Sequence, residues 1–287
     1  MMRRSLITPS YAQGFARSQG EAQHPGLWRG LVGAWIPMLG PSGTVLYDVS
    51  GRNNHGPFTS GLSEADWIST DIGPAISFDG VDDYIVLPRH QELNLGLSNA
   101  SLCVWVRYTA TVDSYGGVIG NGTLNAAVKG HGFFTYKDTG NLQYQVRDRS
   151  TINLGVNSLS ALNDGRWHFC VGVLDRNSAT GMKLYVDGVL NGTADGSSFS
   201  GVDLDDTTKF TIGARNSTSS YDYDFAGDIA YAAQYNRALS HAEVLQLYAD
   251  PLAAFRLRDR RAFVFIAAVT DRISLLEPRR LHGLLRR

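Results

Sequence analysis

The chain has 287 residues, with 26 Lys plus Arg against 27 Asp plus Glu, 31 Gly, 9 Pro and 2 Cys. Its charged fraction of 18% lies below the usual value of about 25%, while glycine exceeds its usual share of about 7%. This composition excludes a disordered chain, collagen and a coiled coil. It predicts one large, turn-rich domain with a buried core.

Charge is distributed unevenly along the chain. Residues 1–35 carry a net charge of +3, residues 256–287 carry +6, and the residues between them carry −10. The first segment also mixes Pro, Gly, Gln, Ser and Arg without any periodicity. We therefore divide the chain into an extended basic N-terminal arm (1–29), a central domain (30–255) and an Arg-rich C-terminal tail (256–287).

Neither a membrane span nor a signal peptide is expected from the sequence. The longest apolar run, from Ala262 to Val269, is about half of the ~18 residues that a membrane helix needs. The residues that follow Arg3 and Arg4 lack the apolar stretch of a signal peptide. We therefore expect no membrane insertion and no export by this route.

Short apolar or alternating segments, bounded by Gly, Asn or Asp, recur through the central domain. The expected strands are 31–36, 75–78, 82–87, 101–108, 116–120, 131–136, 142–147, 166–174, 182–187, 208–213 and 225–235. Such spacing predicts an all-β sandwich or barrel. Val186-Asp187-Gly188-Val189 predicts a type I′ hairpin turn, because Asp-Gly accepts the positive φ that this turn requires.

One short helix is expected near the end of the central domain. Ser240-His241-Ala242-Glu243 matches the capping box that begins many helices. Val244, Leu247 and Tyr248 share one helix face before Pro251, which cannot continue the helix. This face should pack on the edge of the sandwich.

Both cysteines lie in apolar segments. Cys103 is within Leu102–Val106 and Cys170 is within Phe169–Val173. Two cysteines cannot make a four-ligand metal site, and a buried free cysteine behaves as a small apolar residue. We interpret both as reduced core residues. A disulfide between them remains the alternative if their strands are neighbours.

Six motifs follow one another through the central domain. They are Gly30–Trp35, Asp48–Gly56, Ala75–Ile85, Asp164–His168, Leu184–Gly188, and Gly227–Ile229 with Tyr235–Ser240. In this order they resemble the motifs of laminin G-like domains of the concanavalin A-like lectin/glucanase class. The resemblance implies a two-sheet antiparallel β-sandwich, the concanavalin A-like jelly roll, with about a dozen strands, one short C-terminal helix and extended terminal arms.

A calcium site is expected beside the second motif. Asp48, Asn53 and Asn54 offer the hard oxygen ligands that Ca²⁺ prefers. The resemblance implies that Ca²⁺ ties this early loop to a late strand, where Asp228 would supply a carboxylate. Its role would be structural. The alternative is that Asp48 forms an Asx turn and Asp228 is a hydrogen-bonded edge residue.

A second acidic group surrounds the turn in the third motif. Asp79, Asp82 and Asp83 would repel one another unless a cation or backbone N–H groups met them. We interpret these carboxylates as caps of the turn in preference to metal ligands.

No catalytic residues are predicted. Glucanases of similar fold use two carboxylates about 5–5.5 Å apart, delivered by a Glu-x-Asp-x-Glu strand. The five glutamates of this chain lie in no such pattern. Asp222-Tyr223-Asp224 places two carboxylates on one face of a strand, which keeps a carbohydrate-active hydrolase as the alternative.

Binding of surface glycans is the favoured function. Aromatic faces and planar polar side chains hold sugars, and six loop residues have this chemistry. They are Tyr136, Arg147, Asp148, Arg215, Tyr221 and Tyr223. The alternative is that these tyrosines only pack on a face of the sandwich.

The two basic arms are expected to contact other subunits. Phe263-Val264-Phe265-Ile266, flanked by Arg, would add an edge strand either to another chain or to the domain's own sheet. Nucleic acid is disfavoured because no aromatic residues are interleaved for base stacking and the central domain is acidic.

The termini also resemble those of laminin G-like proteins from tailed phages and environmental bacteria. We therefore expect a non-enzymatic recognition module within a larger, extracellular assembly such as a virion surface, where it would serve as a decoration or fibre protein. A purely structural decoration protein without a ligand is the remaining alternative.

Overall fold

The computed structural model describes residues 24–88, 91–109, 115–121, 128–136, 138–216 and 221–255. Of Ser60, Tyr221 and Asp222 it describes only the backbone. Residues 1–23 of the predicted arm and the whole predicted tail, 256–287, lie outside the described residues. Their roles in assembly stay predictions.

Eighteen strands and two α-helices are found within the described residues. In chain order they are α1 (Pro25–Trp28), β1 (Leu31–Trp35), β2 (Val45–Leu46), β3 (Gly56–Ser60), β4 (Trp67–Thr70), β5 (Gly73–Asp79), β6 (Asp83–Val86), β7 (Ala100–Arg107), β8 (Tyr115–Gly120), β9 (Lys129–Tyr136), β10 (Leu142–Asp148), β11 (Asn153–Asn157), β12 (His168–Leu174), β13 (Met182–Val186), β14 (Val189–Ala194), β15 (Thr211–Ile212), β16 (Arg215–Asn216), β17 (Tyr221–Asp222), β18 (Ala226–Tyr235) and α2 (His241–Ala249).

The strands form two eight-stranded antiparallel sheets. The first has the order β14-β13-β12-β7-β18-β5-β4, and β1 also pairs with β18. The second has the order β11-β10-β9-β8-β15-β6-β3-β2, and β16 and β17 form a separate hairpin. This architecture confirms the predicted all-β, two-sheet sandwich with one short C-terminal helix.

The first sheet is buried on both faces. Along β7, Leu102 and Val104 enter the core between the two sheets, whereas Cys103 and Trp105 enter a second apolar cluster on the opposite face. Strands covered on both sides need apolar residues at nearly every position, which explains the unbroken apolar sequences of β7 and β12.

The second apolar cluster is covered by the two helices. Val244 and Leu247 of α2 are buried, and the ring of Tyr248 stacks on Trp105 with centroids 5.8 Å apart. The capping box of α2 is confirmed, because the backbone N–H of Ser240 donates to Glu243 Oε2 at 2.9 Å. The predicted helix therefore packs by the predicted face, but it covers the face of the first sheet over β7 and β12 and not the edge of the sandwich.

Helix α1 corrects the boundary of the predicted N-terminal arm. Leu27 and Trp28 are buried, the Trp28 ring meets Phe255 edge-on at 5.4 Å, and Trp28 Nε1 donates to Ala254 O at 3.0 Å. An extended conformation is wrong for residues 24–29, because burial of these two large apolar side chains folds the segment onto the domain.

The predicted hairpin turn is present between β13 and β14. Asp187 and Gly188 have φ values of 51° and 79°, and Val186 pairs with Val189. The expected strands did not include β2, β3, β4, β11, β14, β16 or β17. In β3, β11 and β14, Pro, Asn or Gly interrupts the apolar pattern. The expected strand 208–213 shortens to β15.

Cys103 and Cys170 are both free and buried. Their strands, β7 and β12, are neighbours, with Cys103 opposite Val171 and Cys170 opposite Val104. The offset of one residue sends the two thiols to opposite faces of the first sheet, since side chains alternate along a strand. The reduced state is confirmed, and a disulfide between them is excluded in this fold.

Candidate functional site

The outer face of the second sheet carries the polar side chains of β10. Tyr144 and Val146 are fully buried in the core between the sheets. Gln143 and Arg147 alternate with them and therefore point away from that core. The exposed side of the sheet is thus polar where its inner side is apolar.

Two glycines flatten this outer face. A Cβ at Gly155 would lie 2.5 Å from Cδ of Gln143, and one at Gly132 would lie 3.2 Å from the Phe134 ring. The missing side chains let Gln143 lie over Gly155 of the neighbouring strand β11, and let the Phe134 ring lie over Gly132 of its own strand. The result is a platform of planar groups.

Three tyrosines meet at one end of the platform, and we call Tyr115, Tyr136 and Tyr223 the tyrosine cluster. The Tyr115 ring meets Tyr136 edge-on, with centroids 4.8 Å apart, and it meets Tyr223 in the same way at 5.6 Å. The guanidinium carbon of Arg215 lies 4.1 Å from the Tyr223 centroid. Tyr136 Oη donates to Gln143 Oε1 at 2.8 Å.

The β16–β17 hairpin brings Tyr223 and Arg215 to this end of the sheet. It crosses β8 at Gly117, whose N–H donates to Tyr223 O at 2.6 Å. A Cβ at Gly117 would collide with the backbone N of Arg215, so the crossing requires glycine. Tyr223 itself has a positive φ of 53°, a strained conformation for a bulky residue that is found often at binding sites.

The Tyr136 hydroxyl stays protonated at neutral pH. Burial raises the pKa of Tyr136, and the neighbouring Tyr115 raises it further, while the hydrogen bond to Gln143 acts in the opposite direction. All three tyrosines are half-buried. The cluster therefore offers ring faces and the neutral hydroxyl of Tyr136, which suit an uncharged polar ligand.

The structure brings together three of the six predicted ligand-binding residues, namely Tyr136, Arg215 and Tyr223. Arg147 lies on the same outer face, and its Nε is buried without a hydrogen-bond partner. The backbone of Tyr221 pairs with Asn216, and its side chain lies outside the description.

Two members of the site were missed by sequence reasoning. Tyr115 and Gln143 join the cluster only through strand pairing, because Tyr115 lies opposite Tyr136 and Gln143 lies opposite Phe134. A tyrosine at the start of a strand and a glutamine inside one carry no motif of their own. The one signal available in the sequence was the alternation of inward and outward side chains along β8 and β10, which places Tyr115 and Gln143 on the outward side.

Asp148 has a different role from the predicted one. Its carboxylate accepts hydrogen bonds from the backbone N–H groups of Ser150, Thr151 and Ile152, at 2.8–2.9 Å. Burial acts to raise the pKa of Asp148, but these bonds and the Thr151 hydroxyl lower it to about 2. The residue closes the turn between β10 and β11. Its role in ligand binding stays a prediction.

The four residues of the predicted calcium set are not brought together. Asp48 is buried and accepts hydrogen bonds from the backbone N–H groups of Ala34, Ser50 and Asn54. Asn53 is exposed. Of these loop residues, Asn54 keeps a buried Oδ1 without a hydrogen-bond partner.

Asp228 lies away from this loop. Ala34, which binds Asp48, pairs with Ala233 of β18, and Asp228 lies five positions earlier on the same strand. At ~3.3 Å per residue this separation along β18 is about 16 to 17 Å, and Asp228 Oδ2 already pairs with Arg107 Nη2 at 2.7 Å. The residues present therefore do not assemble the 6–8 oxygens around one Ca²⁺. Calcium binding stays a prediction.

Two of the three aspartates of the third motif, Asp79 and Asp83, cap a turn, as predicted. Asp79 Oδ1 accepts the N–H of Val81 at 2.8 Å, and Asp83 Oδ2 accepts the N–H of Asp79 at 2.9 Å. Their carboxylate oxygens lie within 4.8 Å of those of Asp82. Burial raises the pKa of Asp83, as does the charge of its acidic neighbours, although the Asp79 N–H bond opposes this.

Two described glutamates are committed to ion pairs. Glu92 accepts from Arg52 at 2.7 Å, and Glu243 accepts from Arg237 at 2.8 Å. Asp224 is half-buried, and the Asp222 side chain lies outside the description. None of these placements gives the hydrolase alternative a facing pair of carboxylates among the described side chains.

The domain resembles the binding regions of several toxins and one enzyme. It matches the binding domain of Paraclostridial Mosquitocidal Protein 1 with a TM-score of 0.61 at 14% identity, covering 77% of this chain and 52% of that one. It matches domain 4 of AbnA, a GH43 extracellular arabinanase from Geobacillus stearothermophilus in complex with arabinotriose, with a TM-score of 0.55 at 19% identity, covering 76% and 98%. For the ligand binding domain of botulinum neurotoxin serotype D in complex with N-acetylneuraminic acid, the TM-score is 0.57 at 15% identity, with 79% and 52% covered.

These likenesses establish the fold. The chain spans about half of the length of the toxin binding domains and nearly all of the arabinanase domain. No curated protein matches the sequence. A family model of the concanavalin A-like lectin/glucanase superfamily, of the laminin G type, matches residues 79–245. That match covers more than half of the sequence, and with the two-sheet sandwich it establishes that the chain belongs to this superfamily.

Proposed function

We propose that this chain is a non-catalytic recognition module that binds carbohydrate on the outer face of its second sheet. The observation that carries the proposal is the tyrosine cluster with Arg215 stacked on Tyr223 at 4.1 Å. Ring faces cover the C–H side of a sugar, while the Tyr hydroxyls, Gln143 and Arg147 can bond its hydroxyl groups. The superfamily and the sugar complexes of two similar domains support this class of ligand.

The carboxylates that lie close together, those of Asp79, Asp82 and Asp83, surround a turn. Glu92 and Glu243 are held in ion pairs with arginines, and these placements favour binding over hydrolysis. Retaining glycosidases need two carboxyl groups about 5–5.5 Å apart, one on each side of the scissile bond. The hydrolase alternative makes a separate prediction, which is turnover of arabinan or a β-glucan that is abolished by Asp222→Asn. If neither polymer is hydrolysed, the hydrolase alternative loses its support and binding remains the proposed activity.

The proposal is tested with arabinotriose and a glycan array. In isothermal titration, Tyr223→Ala and Tyr115→Ala should each weaken binding of an array hit by about tenfold, because stacking on aromatic rings supplies on the order of 1 kcal/mol per ring. Tyr47→Ala is the matched control, since Tyr47 is 42% exposed outside the site. A blank array, or equal loss in all three variants, contradicts the proposal.

We also propose that the module belongs to a larger extracellular assembly such as a virion surface, where the basic residues of 1–23 and 256–287 contact acidic bodies of other subunits. The support is the charge of +6 on the tail against −10 between residues 36 and 255. No helix among the described residues is long and apolar enough to cross a bilayer.

Removal of residues 1–23 and 256–287 should leave a folded monomer that no longer associates in sedimentation experiments. Retaining Leu27 and Trp28 matters, because both are buried in the second apolar cluster. Unchanged association of the truncated chain would rule out a role for the arms. If the assembly persists while the glycan array stays blank, the purely structural alternative is favoured.

A further inference from the structure

A cavity of about 430 Å³ opens where β7 ends and β18 begins. Arg107, Thr109, Gly165, Ala226 and Asp228 are among its lining residues. Its volume falls within the range of about 300–1,000 Å³ that is common for small-molecule sites. The tyrosine cluster lies on β8 and β9 of the second sheet, whereas this cavity is built on β7 and β18 of the first.

The polar side of the cavity is an ion pair with an unusual geometry. Arg107 Nε donates to Asp228 Oδ2 at 2.8 Å, and Arg107 Nη2 lies 2.7 Å from the same oxygen. The guanidinium also stacks over the Trp167 ring, 4.9 Å from its centroid. Both partners are thus held in place, because Asp228 is only 14% exposed and the indole supports Arg107.

This arrangement leaves hydrogen-bonding capacity on both partners. Both bonds from Arg107 end on Oδ2 of Asp228, so Oδ1 keeps its lone pairs. Neither Asp228 Oδ1 nor Arg107 Nη1 bonds another group in the described part of the chain. These groups match two adjacent hydroxyl groups, of which one donates to Oδ1 and the other accepts an N–H that the guanidinium has not used.

The charge balance selects an uncharged ligand. A carboxylate or phosphate would gain from Arg107 but would meet Asp228 at the same place, and a cation would meet Arg107. A neutral polyol satisfies both groups without disturbing the pair. The hydroxyl-bearing Thr109 on the cavity wall suits the same chemistry.

We propose that the cavity between Arg107 and Asp228 is a second binding site, which holds one neutral sugar residue through a pair of adjacent hydroxyls. It is independent of the tyrosine cluster and uses no residue of that site. The same residue that sequence reasoning expected to bind calcium, Asp228, here accepts a hydroxyl group.

The test uses the full ¹⁵N-labelled chain and D-glucose, D-galactose, D-mannose and L-arabinose as separate probes, with D-glucuronate as the charged comparison. The backbone amides of Gly165 and Gly227 line the cavity and report on it. At least one neutral sugar should shift both amides saturably. D-Glucuronate should shift them about tenfold less at equal concentration, because its carboxylate faces Asp228.

A blocking variant separates this site from the proposed sugar site. Thr109→Trp fills the cavity mouth from an exposed position and leaves the ion pair intact, and it should weaken the response about tenfold or more. Thr193→Trp, also at an exposed position, is the matched control. Asp228→Asn removes the charge but keeps an oxygen, and it should weaken the response as well.

The outcomes distinguish the two proposals. Tyr223→Ala should leave the Gly165 and Gly227 shifts unchanged, whether or not the tyrosine cluster binds glycans. Absence of a saturable shift with all four neutral sugars overturns the second site, as does an equal response of Thr109→Trp and Thr193→Trp. A stronger response to D-glucuronate than to every neutral sugar also overturns it.

Discussion

The guanidinium carbon of Arg215 lies 4.1 Å from the ring centroid of Tyr223, with only 8% of Arg215 exposed. Such contacts contribute about 0.5–2 kcal/mol, and more when they are desolvated. Arg215→Ala should therefore lower the free energy of unfolding by ~1–2 kcal/mol, measured by urea denaturation. Arg215→Lys should recover little of this, because lysine lacks the planar group that stacks.

The same variant tests the binding site. Without Arg215, Tyr223 loses the group that fixes its ring, and binding of an array-selected glycan should weaken by several-fold in isothermal titration. If Arg215→Ala changes neither stability nor affinity, the stacked pair has no role in holding the tyrosine cluster.

Gly117 controls whether the β16–β17 hairpin can cross β8. In Gly117→Ala the new methyl group would overlap the backbone of Ala214 and Arg215, which cannot move aside as a flexible side chain would. We expect a loss of ~2 kcal/mol or more in unfolding free energy and loss of glycan binding. Gly26→Ala is the control, since the nearest atom to its Cβ would be 3.9 Å away. Equal stability of the two variants would contradict the requirement for glycine where the hairpin crosses β8.

Asp48 should stabilise the fold without any metal. Its buried carboxylate accepts three backbone N–H groups, and Asp48→Ala leaves these donors unsatisfied. The expected loss is about 3 kcal/mol in the presence of EDTA, measured by chemical denaturation. A loss below about 0.5 kcal/mol would contradict this hydrogen-bonded role.

The calcium prediction has its own measurement. If Ca²⁺ binds beside Asn54, adding it to metal-stripped protein should raise the melting temperature, and the rise should vanish in Asp48→Ala. It should persist in Asp228→Asn, because Asp228 pairs with Arg107 away from this loop. A melting temperature that does not change with Ca²⁺ removes the prediction.

The features that could be predicted from the sequence are those that neighbouring residues determine. Asp187-Gly188 sets its own turn, and Ser240 with Glu243 sets its own helix start. The partnership of Tyr115 with Tyr223 depends instead on a hairpin crossing another strand, and no local pattern encodes that. The separation of Asp48 from Asp228 follows from the β1–β18 register, which spacing along the chain does not reveal.

His168 should make stability depend on pH near neutrality. The hydrogen bond to Asp187, at 2.8 Å, raises the pKa of His168; burial opposes this, and Asp164 at 3.2 Å raises the pKa further. A histidine with a raised folded pKa contributes stability that is complete below its unfolded pKa, about 6.5. That contribution disappears as the pH rises through the folded value.

Denaturation curves between about pH 6 and pH 8.5 test this dependence. The wild-type chain should lose more unfolding free energy over that range than His168→Gln, which has no titrating ring. Asp187→Asn should also flatten the profile, and asparagine tolerates the positive φ of this turn position. Parallel profiles for the wild type and both variants would show that His168 gains no charge-dependent stability.

The two thiols should report on unfolding of the first sheet from both of its faces. Cys103 and Cys170 are fully buried, and burial raises the pKa of each thiol, so the native chain should not react with a thiol reagent such as Ellman's reagent. Both should react in denaturant, and an oxidant should not link them within a folded chain, because they lie on opposite faces of adjacent strands.

Since both belong to central strands, their labelling rates in the native state should equal the rate of global unfolding. Fast labelling of one thiol alone would show instead that the apolar cluster on its side opens separately.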